Sequence, residues 1–284
     1  MGRSRERDGA CRCVAHRRAG SQSGQHRQGE RRLTALVTLI TGASAGLGAD
    51  FARQCAARGE RLVLVARRRD KLEALANELG NARAVTLDLG QPGAAGSLMA
   101  DLAAHGEQVG TLINNAGFGL FGKFVALDGA RQRAMIDLNC GSLVELTHAM
   151  LPGMIDRNTG AILNIASTAA FQPGPGMAVY FATKAFVLSF SEALHEEVGR
   201  KGVRVTALCP GPTKTEFGEV AGFKGNGAFD KISARSEDVV AMGLKALDSG
   251  RAVAIPGIAN KAGAQAHRFL PRAILRKITG AIKN

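Results

Sequence analysis

A predicted strand that runs directly into a glycine-rich turn and then into a helix constrains the fold of this chain more than any other stretch. The pattern predicts a buried strand over residues 35–40 and a helix over residues 49–58, which is followed by a glycine. The turn between them, residues 41–48, has the sequence Thr-Gly-Ala-Ser-Ala-Gly-Leu-Gly. A glycine motif is informative in this setting because it lies between a strand and a helix. The order predicts the first unit of an α/β sheet that binds a nucleotide.

Each glycine of this turn has its own predicted task. Gly42 and Gly46 permit the tight turn and the close approach of a pyrophosphate, and Gly48 lets the helix pack against the strand. The first amides of the helix, with their partial positive charge, are expected to face the phosphates.

Strands and helices alternate along the rest of the central region. Apolar runs that read as strands recur at residues 61–66, 84–89, 109–113, 161–166, 203–208 and 251–255. Such alternation is typical of a parallel sheet with helices on both faces. We therefore predict a single-domain α/β Rossmann fold, a doubly wound parallel sheet of about seven strands.

The positive charge of the chain is concentrated at its two ends. Of the formal net charge of +13, residues 1–32 carry +6 and residues 261–284 carry another +6, which leaves residues 33–260 nearly neutral. A nearly neutral body argues against nucleic-acid binding by the folded part. We predict a basic N-terminal extension over 1–32, a folded domain over 33–260 and a basic C-terminal helix within 261–284.

The N-terminal extension is rich in Arg, Gly, Ser and Gln and has almost no large apolar side chains. Such a segment cannot bury enough surface to fold, so disorder is expected. A transit peptide and a start codon assigned too far upstream remain alternatives.

Signals for membrane insertion, secretion and metal binding are missing from the pattern of the sequence. It has no apolar run of the about 18 residues that a transmembrane helix needs, and no secretory apolar region near its start. The five cysteines are odd in number and lack metal-ligand spacing, which fits a reducing compartment. We expect a cytoplasmic protein without a metal site, and we assign no role to Cys11, Cys13 and His16.

The C-terminal segment has the pattern of a basic amphipathic helix that begins at Pro271. Two sets of residues recur at steps of four on different faces: Leu270, Ile274, Ile278 and Ile282, and Arg268, Arg272 and Arg276. Three uses stay open, namely peripheral contact with the anionic inner membrane surface, packing on its own domain, and contact with a second subunit.

The stretch from Ser167 to Lys184 carries the candidate chemistry. It holds Tyr180, the single tyrosine of the chain, and Lys184 follows four residues later, on the same face of a predicted helix. A nearby cation stabilises a phenolate and is expected to lower the pKa of Tyr180 toward neutrality. Ser167 follows a predicted strand, so its hydroxyl is expected at the sheet edge where ligands bind. The alternative is an exposed Tyr–Lys pair with a serine in a turn.

The end of the second predicted strand indicates which dinucleotide would bind. An NAD site usually places an acidic residue there for the ribose 2′-hydroxyl, whereas this chain has Arg67, Arg68 and Arg69. Arginines at the start of a helix oppose its dipole but suit a 2′-phosphate. We therefore predict NADP(H) in preference to NAD(H). The alternative is a solvated helix end in which Asp70 offsets one charge.

Other strand ends and two aromatic groups complete the predicted cleft. Asp88 lies at the carboxyl end of the third predicted strand, and the Asn114-Asn115-Ala116-Gly117 run and the Pro210–Thr213 segment each follow a predicted strand. Two groups of apolar residues are candidates to line a substrate pocket, although core packing would explain about half of them: Phe118, Phe121 and Phe124, and Phe217, Val220, Phe223 and Phe229.

With these motifs in order, the chain resembles the short-chain dehydrogenase/reductase superfamily, of the NADP-preferring type, over residues 35 to about 256. The motifs are T-G-x-x-x-G-x-G at 41–48, Asp-Leu at 88–89, N-N-A-G at 114–117, the Ser/Tyr/Lys set and P-G at 210–211. The segment from Ser236 onward further resembles the DltE-like bacterial short-chain oxidoreductases. The basic first 32 residues depart from the family pattern.

The resemblance implies a catalytic tetrad. Tyr180 would donate a proton to a carbonyl, or accept one from an alcohol, and Lys184 would lower its pKa and hold the nicotinamide ribose. Ser167 would position the substrate oxygen, and Asn139 would anchor a water that links Lys184 to a proton relay.

The resemblance also implies a set of cofactor contacts. Those on the pyrophosphate and adenosine side would be Gly42, Ser44, Gly46, Leu47, Arg67 and Asp88, with Arg67 on the 2′-phosphate and Asp88 on the adenine amino group. Those near the nicotinamide and its ribose would be Asn115, Ala116, Gly117, Tyr180, Lys184, Pro210, Gly211 and Thr213.

The function implied is an NADP(H)-dependent reductase of an apolar ketone, aldehyde or 3-oxoacyl group, or a dehydrogenase in the reverse direction. The family usually forms homodimers or homotetramers through helices that here span about 130–154 and 177–200. A non-catalytic NADP(H)-binding sensor is the alternative, but a sensor has no need of both Tyr180 and Lys184. Nucleic-acid binding through the basic ends would fall steeply with salt.

Overall fold

The predicted strands pair into one parallel sheet. The computed structural model describes residues 35–222, 233–266, 269 and 271–281. The strands are β1 Ala35–Thr41, β2 Leu62–Ala66, β3 Ala82–Thr86, β4 Glu107–Asn114, β5 Gly160–Ile165, β6 Val203–Leu208 and β7 Val253–Ala254. Their order is β3-β2-β1-β4-β5-β6-β7. The order reverses between β1 and β4, which opens a crevice at the carboxyl ends of the strands. The predicted Rossmann fold is confirmed.

Helices cover both faces of this sheet. They are α1 Gly46–Ala57, α2 Arg69–Leu79, α3 Ala94–Ala104, α4 Gly129–Ile136, α5 Leu143–Asp156, α6 Ala178–Val198, α7 Phe217–Val220, α8 Ser236–Asp248, α9 Ile258–Ala266 and α10 Arg272–Ala281. Alternate strand residues feed two cores because side chains alternate across a strand. Ile40 packs with α1, α2 and α8, whereas its neighbour Leu39 packs with α3, α5 and α6.

Several boundaries differ from the sequence prediction. The third strand ends at Thr86, paired with Ala66, because β2 offers no partner beyond that residue. Asp88 therefore lies in the loop after β3 instead of within the strand. The long helix predicted over 130–154 is interrupted by a π-helical turn, Asp137–Ser142, between α4 and α5.

The C-terminal part contains one helix that the pattern did not predict. Helix α9 runs across the predicted boundary between residues 260 and 261. Helix α10 begins after Pro271, as predicted, but it buries Leu275 and Thr279, while Ile274 is 44% exposed. The buried face of the helix thus lies one position along from the predicted apolar stripe. Arg268, Leu270 and Ile282 lie outside the described residues, as does the N-terminal extension.

Within the described ranges, none of the helices is both long and apolar enough to cross a membrane.

Candidate active site

A cleft of about 600 Å³ lies at the carboxyl ends of the strands, beside the point where the strand order reverses. It extends from Arg67 and Arg68 at one end to Tyr180 and Phe217 at the other. Every residue predicted to contact substrate or cofactor lines this cleft, and Asn139 alone of the predicted set does not. Residues from six separate segments of the sequence are thus brought to one crevice.

The glycine turn is held against the end of β4 by Thr41. The buried Thr41 hydroxyl accepts hydrogen bonds from the amides of Asn115 and Ala116, each at 3.0 Å. In return the Asn115 carboxamide donates to the carbonyls of Thr41 and Gly42, at 2.9 and 3.2 Å. A Cβ on Gly42 would lie 2.9 Å from the Ala116 Cα, and the φ of Gly42 is +66°. The turn therefore requires glycine for its own packing as well as for a ligand.

The Asn115 side chain has a structural task that the sequence did not predict. Both of its donated hydrogen bonds go to the turn, so the carboxamide fixes the wall of the cleft. Its contact with a ribose stays a prediction.

Basic side chains line the adenosine end of the cleft. Arg67 is exposed and forms no ion pair with another described residue. Arg68 donates from Nε to the Ser44 hydroxyl at 3.1 Å and pairs with Glu216 at 2.8 Å. Across the cleft, Asp88 accepts a hydrogen bond from the Gly90 amide at 3.0 Å. A glycine turn at a helix N-terminus with arginines beyond it fits an NADP-type dinucleotide.

Tyr180 and Lys184 lie on the buried face of α6, below the end of β5. Tyr180 is 8% exposed and Lys184 is 7% exposed. The Lys184 ammonium donates to the Ile165 carbonyl at 2.7 Å and lies 5.8 Å from the centre of the Tyr180 ring. Ser167 follows β5, and its hydroxyl accepts from the Ala169 amide at 3.1 Å. The exposed-pair alternative is excluded by this burial.

Burial controls the protonation of both groups. It raises the pKa of Tyr180 to about 12, although a hydrogen bond with Ser167 acts in the opposite direction. Burial also lowers the pKa of Lys184 to about 8. The sequence predicted a phenol pKa lowered by Lys184, and among the protein's own groups the desolvation effect is larger. At neutral pH the phenol is therefore protonated and ready to donate.

Asn139 lies in the π-helical turn and ties three segments together. Its carboxamide accepts from the Phe118 amide at 3.0 Å and donates to the Phe118 carbonyl at 3.0 Å and to the Thr183 hydroxyl at 3.1 Å. Thr183 in turn donates to the Tyr180 carbonyl at 2.7 Å. The side chain of Asn139 therefore positions the Tyr180 helix, and the predicted water relay stays a prediction.

The comparisons with known proteins agree with this geometry. A family model described as short chain dehydrogenase matches residues 36–222. The chain belongs to the short-chain dehydrogenase family. The predicted family and enzyme class, a dehydrogenase or reductase, are thereby confirmed, while the DltE-like resemblance stays a prediction.

This dehydrogenase is also similar to curated relatives and to solved structures. The chain is 40% identical over 199 residues to the NADP-dependent 3-hydroxy acid dehydrogenase YdfG of Salmonella typhi, covering 67% of this chain and 78% of the relative. It is 42% identical over 184 residues to a sulfoacetaldehyde reductase of Chromohalobacter salexigens, covering 63% and 73%. A short-chain dehydrogenase from Sphingobium yanoikuyae, solved with NADPH, superposes with a TM-score of 0.74 at 35% identity, covering 82% and 93%.

The end of the cleft beside Tyr180 is apolar in this dehydrogenase. The Phe217 ring lies 5.3 Å from the Tyr180 ring, and Phe118, Met177 and Phe181 pack around the same tyrosine. Gln172 adds a polar group to this lining, whose only cation among the described residues is Lys184.

The predicted aromatic lining is correct in part. Phe118 and Phe217 line the cleft, whereas Phe124 is 61% exposed elsewhere. Phe223 and Phe229 lie outside the described residues, as does the side chain of Val220. Sequence reasoning included Arg68 only as one of three consecutive arginines that suit a 2′-phosphate. It missed Met177, Phe181, Gln172 and Glu216, for which the local pattern gave no signal.

In the described part of the chain, no three His, Cys, Asp or Glu side chains form a cluster that could hold a metal ion. The cysteines Cys55, Cys140 and Cys209 are free and buried. Burial raises the pKa of their thiols to between about 11 and about 12. They are therefore inert core side chains rather than nucleophiles.

Proposed function

We propose that the protein is an NADP(H)-dependent oxidoreductase that transfers a hydride between nicotinamide and the carbonyl or alcohol carbon of an apolar substrate. A ketone, an aldehyde or a 3-oxoacyl group would meet this description. The observation that carries the proposal is the buried Tyr180 side chain, which lines the apolar end of the cleft together with Ser167. A protonated phenol beside an apolar cavity suits a general acid.

The chain's own groups would divide the work as follows. The bound nicotinamide supplies or accepts the hydride. Ser167 donates a hydrogen bond to the substrate oxygen, and Tyr180 gives its proton to that oxygen during reduction or removes it during oxidation. Lys184 fixes the end of β5 through the Ile165 carbonyl and presents its remaining donors to the cofactor ribose. Burial keeps the Tyr180 phenol protonated at neutral pH, which is the form that reduction requires.

The preference for NADP(H) rests on the adenosine end of the cleft. Arg67 and Arg68 line it, with the Ser44 hydroxyl held beside them, and no acidic residue follows β2 directly. The same preference is borne by the curated 3-hydroxy acid dehydrogenase, and the Sphingobium enzyme was solved with NADPH.

The substrate that we propose is uncharged, whereas the substrates named for the two curated relatives are anionic. A 3-hydroxy acid and sulfoacetaldehyde each carry an anionic group, which a site would meet with a cation. Besides Lys184, the described lining near Tyr180 offers phenyl rings, Met177 and Gln172. We therefore expect higher kcat/KM for neutral aromatic or aliphatic carbonyls than for short carboxylated or sulfonated ones.

The test compares wild type with Tyr180→Phe. The variant keeps the ring packing and loses the proton, so kcat should fall by at least about 10²-fold while NADPH still binds. A variant with near wild-type kcat would refute the role of Tyr180. If wild type binds NADPH tightly and turns over no carbonyl in a broad panel, the non-catalytic sensor becomes the better interpretation.

The family's usual assembly gives a second proposal, a homodimer or homotetramer. Ile136 on α4 and Phe186 on α6 are 42% and 44% exposed, and Phe186 stacks on Phe190 at 6.0 Å between ring centres. Exposed apolar side chains on these helices support pairing of two copies. Light scattering coupled to size-exclusion chromatography should give at least twice the chain mass of 29.7 kDa. A monomer would contradict it.

Peripheral membrane contact through the C-terminal helix is a further proposal. On α10, Ile274 is 44% exposed and Arg276 and Lys277 are exposed beside it. This mixture suits an anionic bilayer surface. Co-sedimentation with anionic vesicles should be lost after truncation at Ala259, and binding that survives the truncation would contradict the proposal.

A further inference from the structure

Three consecutive residues cross the cleft of this protein from one functional end to the other. Thr215 lies against the glycine turn, so that a Cβ on Gly46 would be 3.1 Å from the Thr215 Cβ. Glu216 pairs with Arg68 at the adenosine end, and Phe217 packs on Tyr180, with 5.3 Å between ring centres. We call residues 215–217 the strap. Because the three residues are consecutive, displacement of one of them must also move the backbone of the other two.

Glu216 is bound as an anion by cations that line the cofactor cleft. One carboxylate oxygen lies 2.8 Å from the Arg68 guanidinium, and the other lies 2.8 Å from the Lys71 ammonium. Arg68 precedes α2 and Lys71 lies in its first turn. Arg68 also donates to Ser44 of the glycine turn, at 3.1 Å. The arrangement is a site for an anionic group, filled by a side chain of the same chain.

A 2′-phosphate would bind the same two cations, Arg68 and Lys71. The proposed function already places NADP(H) at this end of the cleft, and the present inference rests on that function. A phosphate carries up to two charges and three acceptor oxygens, whereas a carboxylate carries one charge and two oxygens. The side chains of Glu216, Arg68 and Lys71 are 42%, 46% and 52% exposed, so the ion pairs that hold Glu216 are weak and exchangeable.

We propose that Glu216 is an internal competitor for the cations that bind the 2′-phosphate, and that a bound 2′-phosphate releases the strap from the cleft. Glu216 thereby lowers the affinity for the phosphorylated cofactor and couples its binding to the position of Phe217 over Tyr180. An unphosphorylated adenosine ribose has no group that can displace the carboxylate, so its binding leaves the strap in place.

The test measures binding of two small probes by calorimetry at fixed ionic strength. Adenosine 2′,5′-bisphosphate carries the 2′-phosphate, and 5′-AMP lacks it. Glu216→Gln should bind the bisphosphate about threefold to tenfold more tightly than wild type, since removal of two exposed ion pairs frees both cations. Its affinity for 5′-AMP should equal that of wild type. Glu73→Gln is the matched control, because Glu73 is a carboxylate of similar exposure, 48% against 42% for Glu216, and it pairs with Arg69 on the same helix as Lys71.

A second measurement, of tyrosine fluorescence, reports on the position of the strap beside Tyr180. The chain has one tyrosine and no tryptophan, so tyrosine emission comes from Tyr180 alone. Bisphosphate should change this emission in wild type and Glu73→Gln, whereas 5′-AMP should not. In Glu216→Gln the emission should already differ before any probe is added.

The outcomes separate this inference from the proposed function. If wild type does not prefer the bisphosphate over 5′-AMP, the proposed NADP(H) preference fails and this inference fails with it. If wild type prefers the bisphosphate but Glu216→Gln binds it no more tightly, the competition is refuted and the cofactor preference stands. An unchanged tyrosine emission in wild type would refute the release of the strap.

Discussion

Replacement of Lys184, the proposed partner of Tyr180, should stabilise this protein at neutral pH while it abolishes activity. Lys184 is 7% exposed, and burial lowers its pKa from the usual 10.5 to about 8. A lowering of that size corresponds to about 3 kcal/mol of destabilisation whenever the amine must be charged in the folded state. Lys184→Met removes this cost and keeps a side chain of similar length. Loss of the hydrogen bond to the Ile165 carbonyl costs about 1 kcal/mol of this stabilisation. The free energy of unfolding of the variant should therefore exceed that of wild type by about 2 kcal/mol at pH 7.

The difference in unfolding free energy between Lys184→Met and wild type should also depend on pH, which gives a more specific prediction. Below pH 8 both the folded and unfolded states hold the Lys184 proton, so the full cost is present. Between pH 8 and pH 10.5 the unfolded state binds more protons than the folded state, so the stability of wild type rises relative to Lys184→Met. The advantage of the variant should therefore vanish, and then reverse, as the pH passes through this window.

Urea unfolding of both proteins at several pH values between 7 and 10.5 measures this difference directly. Burial holds the pKa values of the Cys140 and Cys209 thiols at about 11 and about 12, even though Lys184 lowers them. The folded thiols therefore stay largely protonated in both proteins up to pH 10.5, and their contribution is small when the two curves are subtracted. Lys245→Met, on an exposed position of α8, should give a curve parallel to that of wild type. Parallel curves for Lys184→Met and wild type would show that the ammonium is not desolvated in the folded state, and the reasoning from burial would be wrong.

Three other substitutions test the walls of the cleft. Thr41→Val keeps the shape of the side chain but leaves the Ala116 amide without its acceptor and the Asn115 amide with the Ile113 carbonyl alone, so urea unfolding should show a loss of about 1–3 kcal/mol, and Thr41→Ser should recover most of it. Arg67→Ala should raise the KM for NADPH about tenfold in steady-state assays and leave that for NADH within about twofold, and equal efficiency of wild type with both cofactors would contradict the assignment. Gly48→Ala brings a Cβ to within 2.2 Å of the Gly42 carbonyl oxygen, so NADPH binding measured by calorimetry should be lost; unchanged affinity would mean that the turn can move.

Motifs at strand ends were predictable because their physics is local. The glycine turn at 41–48 must follow a strand and open a helix, and it does so between β1 and α1. Tyr180 and Lys184 share a face because they are one helical turn apart, and α6 contains both. The alternation of apolar runs likewise predicted the parallel sheet, since each run can be buried only between two layers of helices.

Protonation was the first property that could not be obtained from residue types. The sequence places a cation beside a phenol and so predicts a lowered phenol pKa. Only the fold shows that both groups are almost fully buried and that the Lys184 ammonium is directed to the Ile165 carbonyl. Desolvation then outweighs the attraction between them, and the pKa of Tyr180 rises.

What this sequence determined by itself is the sheet, the glycine turn and the placement of Tyr180 and Lys184 on one helix face, because spacing along one strand or helix decides which residues share a face. What the tertiary structure alone decided is which distant side chains meet in the cleft. Glu216 lies 145 and 148 residues from Lys71 and Arg68, and nothing in the local pattern joins them. Contacts of that range follow from the crossover of strands around β1 and β4, which brings the ends of separate segments to one crevice.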